Sequence, residues 1–285
     1  MARLNHVTII GVGLLGGSIG LALKKLRPRV RVAGVGRRRS SLARAMRAGA
    51  IDSAHLDAGE AVGQSDLVIL ATPVGAFAGH LSAIRPHLKA GAMVTDVGST
   101  KVEVVRAARR ILGPRELFVG SHPMAGSERK GVQFARADLF RGAVCVVTPT
   151  PSTPRGLAAR AERLWRMLGM RTVRMSPAAH DKAMANVSHL PHVAASVLMT
   201  VPGRADLSVA GPGLRDTTRL ASGDPEMWRD IMLSNRKAIL AALNRFGRSM
   251  GTLRRLLAKA DAKGIERFLT AVKKRRDTTI GADNG

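Results

Sequence analysis

The run Leu117-Phe118-Val119-Gly120-Ser121-His122-Pro123-Met124-Ala125-Gly126-Ser127-Glu128 starts like a core strand and ends in a histidine, a proline and two glycines. An imidazole at a strand end is suited to proton transfer, because its ordinary pKa lies near neutrality. Placed against a hydroxyl, it can take the proton while hydride leaves the same carbon. A second run, Thr95-Asp96-Val97-Gly98-Ser99-Thr100-Lys101, ends in Ser99, whose hydroxyl can hold the reacting oxygen in line. The competing reading of His122 is a strand-end histidine bonded to backbone, and position alone does not separate the two.

Hydride chemistry needs a cofactor, and the N-terminus carries a turn for one. Gly11-Val12-Gly13-Leu14-Leu15-Gly16 follows the apolar run at residues 7–11 and opens a stretch with helical spacing. In that context each glycine has a role: a tight turn, close approach to a pyrophosphate, and helix–strand packing. The helix N-terminus then offers N–H groups to phosphate. Leu14 and Leu15 within the turn, and Thr72-Pro73 at the end of the run at residues 66–73, complete this expected cofactor cradle. An NAD site usually carries an acid after the second strand. Here the chain reads Gly36-Arg37-Arg38-Arg39-Ser40, without an acid. Arg37, Arg38 and Ser40 suit a 2′-phosphate, which guanidinium groups clamp through paired donors. The expectation is NADP, with NAD as the alternative cofactor and plain surface arginine as the competing reading.

The elements that position these residues are legible as alternating patterns. Apolar runs at 7–11, 30–36, 66–73, 92–99, 117–123 and 143–149 read as strands, with helical stretches between several of them. This alternation predicts a doubly wound, Rossmann-type parallel sheet, with a further strand at 171–175 closing it. After Ser176-Pro177 the pattern becomes helical. The expected division is a dinucleotide-binding domain at 1–176 and an all-helical substrate and dimerisation domain at 177–285. Helices are expected over 178–201, near 226–250 and on to 276, with a frayed tail at 277–285.

The stretch at 183–201 has no charged residue and is long enough to span a bilayer. Asn186, Ser188, His189, Pro191 and His192 interrupt it, which favours a buried helix. Pro191 should kink that helix and can aim His189 and His192, three residues apart, toward a site. A satisfied core histidine is the competing reading for each. No cysteine or acid accompanies them at ligand spacing, so no metal site is expected. Arg215 and Arg219 are four residues apart, and a carboxylate substrate needs such a clamp. Asp216 is a candidate to hold Arg219, or the set is a surface ion pair. Asp224-Pro225 reads as a helix cap with proline at the first helical position.

The 285-residue chain carries 46 Lys and Arg against 20 Asp and Glu, a formal charge of +26, which attracts anions of many kinds. With 3% aromatics and no tyrosine, stacking platforms for nucleic acid are scarce. One cysteine, Cys145, permits no internal disulfide and fits a cytoplasmic protein; no signal peptide is apparent.

Taken together, GVGLLGGSIGLAL, TDVGSTK, GSHPMAGSE, HDKAMANVSHLPH and GLRDTTRLASGDPEMW resemble the prephenate/arogenate dehydrogenase family of tyrosine biosynthesis, in order, over about residues 7–240. The resemblance implies a two-domain homodimer that removes hydride from C4 of a cyclohexadienol, releases the ring carboxylate as carbon dioxide and aromatises the ring. It implies His122 as catalytic histidine and Ser99 as its assistant. It further implies His192 facing the substrate, Arg219 gripping a substrate carboxylate, and Ser127 and Glu128 beside the cleft entrance. Prephenate is the expected small-molecule substrate; arogenate, with an amine that Glu128 could meet, is the alternative. The arginines after the second strand depart from the family pattern. More distant alternatives are a β-hydroxyacid dehydrogenase or imine reductase, which would use His180, Asp181 or Lys182, and a non-enzymatic nucleic-acid-binding module. No regulatory domain is expected.

Overall fold

The computed structural model describes residues 4–113, 117–126 and 129–279. Five parallel strands form the first sheet: β1 (His6–Ile10), β2 (Arg31–Val35), β3 (Ser53–His55), β4 (Leu67–Leu70) and β5 (Met93–Asp96). Their order is β3-β2-β1-β4-β5, so the direction of strand addition reverses between β1 and β4. Ligands of open α/β sheets bind beyond the carboxyl ends of the strands at such a reversal. The turn at Gly11 and the segment Ala71–Thr72–Pro73 leave β1 and β4 at that point.

Strand alternation sends Val7, Ile9, Leu67 and Ile69 to one apolar cluster, and Ile10, Val68 and Leu70 to another. Both faces of a parallel sheet must be covered by helices. On the first face α1 (Leu14–Leu26) contributes Ile19 and Leu23. α2 (Arg39–Arg47) adds Leu42 and Ala45 to the same cluster. The second face is covered by α3 (Ala58–Val62), α4 (Phe77–Ile84) and α5 (Val102–Leu112), through Val62, Phe77, Leu81 and Val104.

The remaining strands depart from the expected single parallel sheet. β6 (Gly120–Pro123) pairs antiparallel with β7 (Val144–Thr148), which pairs parallel with β8 (Arg171–Arg174). The run at 171–175 therefore ends a second, three-stranded sheet and does not close the first. The physical reason is the connection. Among the described residues of the β6–β7 connection there is only a short 3₁₀ turn, while α6 (Arg155–Met167) makes the crossover that a parallel β7–β8 pair needs. The first half of the predicted 117–123 strand makes one isolated bridge, Val94 to Phe118, which sets β6 beside β5.

The helical region begins with α7 (Pro177–Met184), capped by the Ser176 side chain, which accepts from the Ala179 N–H at 3.2 Å. It continues through a π-turn (Ala185–His189) into α8 (Leu190–Leu198). α9 (Arg204–Leu207), α10 (Pro212–Thr218), a 3₁₀ turn (Arg219–Ser222) and α11 (Pro225–Ser234) follow. The predicted cap is present: Asp224 accepts from the Met227 N–H at 2.7 Å. The single helix expected at 226–250 is two, α11 and α12 (Arg236–Ala258), separated at Asn235. α13 (Ala262–Thr279) holds residues 277–279 in helix, contrary to the expected fraying there; residues 280–285 lie outside the described residues. Contacts group the chain into a first unit up to Arg236 and a second from Lys237. Among the described residues no helix is long and apolar enough to cross a membrane, so the stretch at 183–201 is not a span.

Candidate active site

The glycine turn has a distinct steric environment at each position. Gly11 has φ +99°, and a Cβ there would lie 2.6 Å from the Ala71 carbonyl oxygen. At Gly16 a Cβ would lie 2.0 Å from the Gly11 carbonyl oxygen and 2.9 Å from Ile9 Cγ2. Gly13, the N-cap of α1, has no heavy atom within 4 Å of a Cβ. The first and third glycines thus serve the turn and the helix–strand contact, while the second leaves open backbone at a helix N-terminus. Across the crevice Thr72 Oγ1 is buried and has no hydrogen-bond partner among the described residues. A cradle that bare backbone leaves open, with a buried hydroxyl beside it, fits a dinucleotide. Leu14 and Leu15 form the first turn of α1, and Pro73 follows Thr72 at the β4 end. Arg37, Arg38 and Ser40 are exposed between β2 and the first turn of α2.

His122 lies in β6 and is buried, 7% exposed. Its Nδ1 is 2.9 Å from His180 Nε2, and His180 Nδ1 is 2.8 Å from Asp181 Oδ1. The Asp181 carboxylate also accepts from the Lys101 N–H at 2.7 Å and the Val102 N–H at 2.9 Å, where α5 begins. A carboxylate only accepts, so His180 carries its proton on Nδ1 and presents a lone pair at Nε2. His122 must then donate from Nδ1, which leaves its Nε2 with the lone pair of a base. Burial, then the charge of Lys101, then the neighbouring His180 and His189 hold the His122 pKa well below the ordinary histidine value. His180 is lowered as well, mainly by burial, against the raising influence of Asp181. Both rings are therefore neutral near pH 7.

Beneath this chain lies a fully buried ion pair between Lys101 and Asp96. Asp96 also accepts from the Ser121 N–H at 3.0 Å, tying the end of β5 to β6 one residue before His122. Thr95 Oγ1 donates to the Val119 carbonyl at 2.8 Å, a second tie from β5 to the segment that enters β6. Ser99 is half-buried in the loop between β5 and α5. Cys145, fully buried in β7, has its thiol pKa pushed up by burial and is chemically quiet.

The π-turn and Pro191 bring both later histidines inward. His189 is fully buried and accepts at Nδ1 from Asn235 Nδ2 (3.1 Å), whose amide also donates to the Asp181 carbonyl at 2.8 Å. This use of the Asn235 side chain sits at the break between α11 and α12. Burial pushes the His189 pKa down to about 4. His189 is thus held in the core by Asn235, while its Nε2 is buried and has no hydrogen-bond partner among the described residues. His192 stacks on Trp228 with ring centroids 3.5 Å apart and planes 5° from parallel. Its Nδ1 is buried and without a hydrogen-bond partner among the described residues. Arg219 opens the 3₁₀ turn after α10 and is exposed, as are Arg215 and Asp216. Ser127 and Glu128 lie outside the described residues. Among those described, no group of three or more His, Cys, Asp or Glu side chains could hold a metal ion.

Sequence reasoning missed the roles of His180, Asp181, Asn235 and Trp228. The signal was His180-Asp181 at the start of a mostly apolar stretch, where two adjacent titratable residues need partners once buried.

A family model described as the prephenate dehydrogenase nucleotide-binding domain matches residues 19–174, and one for the prephenate dehydrogenase dimerization domain matches residues 176–271. A prephenate dehydrogenase of Bacillus subtilis is 34% identical over 278 residues, covering 95% of this chain and 75% of the relative. A cyclohexadienyl dehydrogenase of Zymomonas mobilis is 34% identical, covering 96% of each chain. Among solved structures, prephenate dehydrogenase from Aquifex aeolicus, in complex with hydroxyphenyl propionate and NAD+, superposes with a TM-score of 0.90. It shares 32% identity and covers 96% of this chain and 98% of its own. With a dinucleotide cradle at the sheet reversal and a buried neutral histidine beyond it, the chain belongs to the prephenate dehydrogenase family of nicotinamide-dependent oxidoreductases.

Proposed function

We propose that this protein oxidises and decarboxylates prephenate to 4-hydroxyphenylpyruvate, with NADP as its preferred cofactor, as a cytoplasmic homodimer. The observation that carries the reading is the imidazole of His122: buried, neutral and with its Nε2 lone pair set by the bond at Nδ1. The glycine turn would hold the cofactor's pyrophosphate, and the bound cofactor would supply the hydride acceptor. His122 takes the proton of the substrate's 4-hydroxyl at Nε2, and Ser99 holds that hydroxyl in line. The electrons of the bond to the departing carboxylate complete the aromatic ring, and the resulting phenolate oxygen takes the proton back from His122. Arg219 grips a substrate carboxylate, and His192 is proposed to meet the same ligand. Ser127 and Glu128 are proposed to bind substrate.

The 2′-phosphate reading rests on Arg37, Arg38 and Ser40 at the end of β2, where no acid stands to meet a ribose hydroxyl. The match to a dimerization domain at residues 176–271 supports the homodimer and a substrate domain that begins near residue 177. Arogenate is the second reading, favoured by the similarity to a cyclohexadienyl dehydrogenase.

The test crosses prephenate and arogenate with NADP and NAD and follows absorbance at 340 nm, with His122→Asn beside the wild type. Loss of a positioned base should lower turnover about 10²–10⁴-fold while leaving cofactor affinity unchanged. The acidic limb of the wild-type rate should lie below the usual histidine range, because His122 is held neutral, and should vanish in the variant. An unchanged rate in His122→Asn would remove the histidine from the chemistry. Faster turnover of arogenate than prephenate would favour the second reading.

A further inference from the structure

We propose that His180 and Asp181 form a positioning relay that fixes the tautomer of His122, so that the base is ready before any ligand arrives. The inference rests on the reading of His122 as base and deepens it. His122 and His180 are 58 positions apart, one on β6 and one on α7, yet their nitrogens meet at 2.9 Å. The rings cross edge to face, with centroids 5.1 Å apart at 63°, so the contact is a directed bond between ring edges and not a stack. His180 is fully buried and Asp181 is 3% exposed, so water does not compete for either.

The direction of the chain of bonds is set at its far end. Asp181 is held by two backbone N–H groups at the start of α5, where the helix end also favours negative charge. Each ring then has one nitrogen committed as donor, and the remaining lone pair falls on His122 Nε2. The charged and titratable groups around His122 are Lys101 with Asp96, His180 with Asp181, His189, and the Cys145 thiol on the adjacent strand. Of these, only His180 has a side-chain hydrogen bond to the ring. Neither relay residue touches a position where substrate or cofactor is proposed to sit. Their effect on the reaction passes through His122.

The test separates this role from a packing role and from the base assignment itself. The full chain is labelled with ¹⁵N-histidine, and the tautomer of His122 is read from one-bond and long-range ¹H–¹⁵N correlations without cofactor, with turnover measured alongside. Wild type should show His122 protonated at Nδ1. Asp181→Asn should move the proton toward Nε2, and turnover should fall about 10²–10⁴-fold with little change in the KM for cofactor. Because Asp181 also caps α5, a second pair leaves it untouched. His180→Gln places an amide oxygen at about the reach of the imidazole Nε2 and should keep the Nδ1–H form and most of the turnover. His180→Leu fills the space without an acceptor and should lose both. Equal behaviour of the Gln and Leu variants, or an Nε2–H tautomer in the wild type, would overturn the relay. If the tautomer responds as described while His122→Asn turns over normally, the relay stands and the base assignment fails.

Discussion

Two alanine substitutions in the glycine turn should have opposite effects, and the difference can be worked out atom by atom. At Gly16 a new Cβ would sit 2.0 Å from the Gly11 carbonyl oxygen. That atom is backbone, held in a turn whose own Gly11 has φ +99°, so it cannot swing away as a side chain would. Relief requires α1 to move off β1, and overpacking of this kind costs about 1–3 kcal/mol or more. Gly13→Ala meets no heavy atom within 4 Å, and φ is −94°, outside the left-handed region that favours glycine. The change of cap residue costs at most about 1 kcal/mol, so Tm should fall by no more than about 4 °C. Cofactor affinity should respond in the other direction. The methyl occupies the space through which a pyrophosphate approaches the N–H groups of α1. Loss of one charge-assisted bond at about 1.5–3 kcal/mol weakens binding roughly ten- to 150-fold. Thermal melts and calorimetric titration with NADP, on both variants, read the two effects separately. Wild-type affinity in Gly13→Ala would show that the dinucleotide does not lie over this turn. Wild-type stability in Gly16→Ala would show that the packing argument is wrong.

The other predictions concern the charged groups. Arg37→Ala with Arg38→Ala should weaken NADP about tenfold or more and leave NAD nearly unchanged; equal losses for both would assign these arginines to the fold or the shared pyrophosphate. Arg219→Ala should raise the KM for prephenate strongly without changing NADP affinity, and Lys at that position should recover only part, since it lacks the planar fork; steady-state kinetics decide this. Acid should destabilise the fold. His122, His180, His189 and His192 all have pKa values lowered on folding, chiefly by burial. The unfolded chain therefore binds more protons, and this stability is complete above about pH 6.5 and lost as pH falls toward the folded values. For His189, lowered to about 4, the loss near pH 5 is about 2 kcal/mol. That corresponds to roughly 4–8 °C in Tm. A Tm that does not change between about pH 7.5 and 5 would contradict the burial of these rings as neutral groups.

What the sequence made legible was whatever its local chemistry over-determined. The glycine turn could be read because each glycine answers a separate steric demand within six residues. The Asp224-Pro225 cap could be read because a cap is a local hydrogen bond. β3 was missed because Ser53–His55 is three residues long and has no apolar alternation. The antiparallel β6–β7 pair was missed because strand runs carry no sign of direction. The break between α11 and α12 was missed because Asn235 is committed to His189 and Asp181, 46 and 54 positions away. His180 and Asp181 entered only as the residues that a β-hydroxyacid dehydrogenase or imine reductase would use. Their role depends on β6 and on the first turn of α5, which only the fold brings to them.

The site has a structural logic that its separate parts do not suggest. Burying Lys101 and Asp96 removes two charges from water, and such a pair is rarely a source of net stability. Its value lies in what Asp96 and Lys101 fix. Asp96 holds the Ser121 N–H and so sets the strand position of His122. The backbone N–H of Lys101 holds Asp181, so the same residue anchors the far end of the relay. The ammonium group of Lys101 meanwhile opposes a proton on His122. Position, tautomer and charge state of one imidazole are thereby governed through adjacent atoms of a single turn, Asp96 to Val102. α7 is bonded to that turn through the Asp181 carboxylate and is held there by the Asn235 amide on its carbonyl. Docking of α7 against the nucleotide-binding sheet is therefore what supplies the hydrogen bond at Nδ1 of this strand-end histidine, the residue proposed as the base.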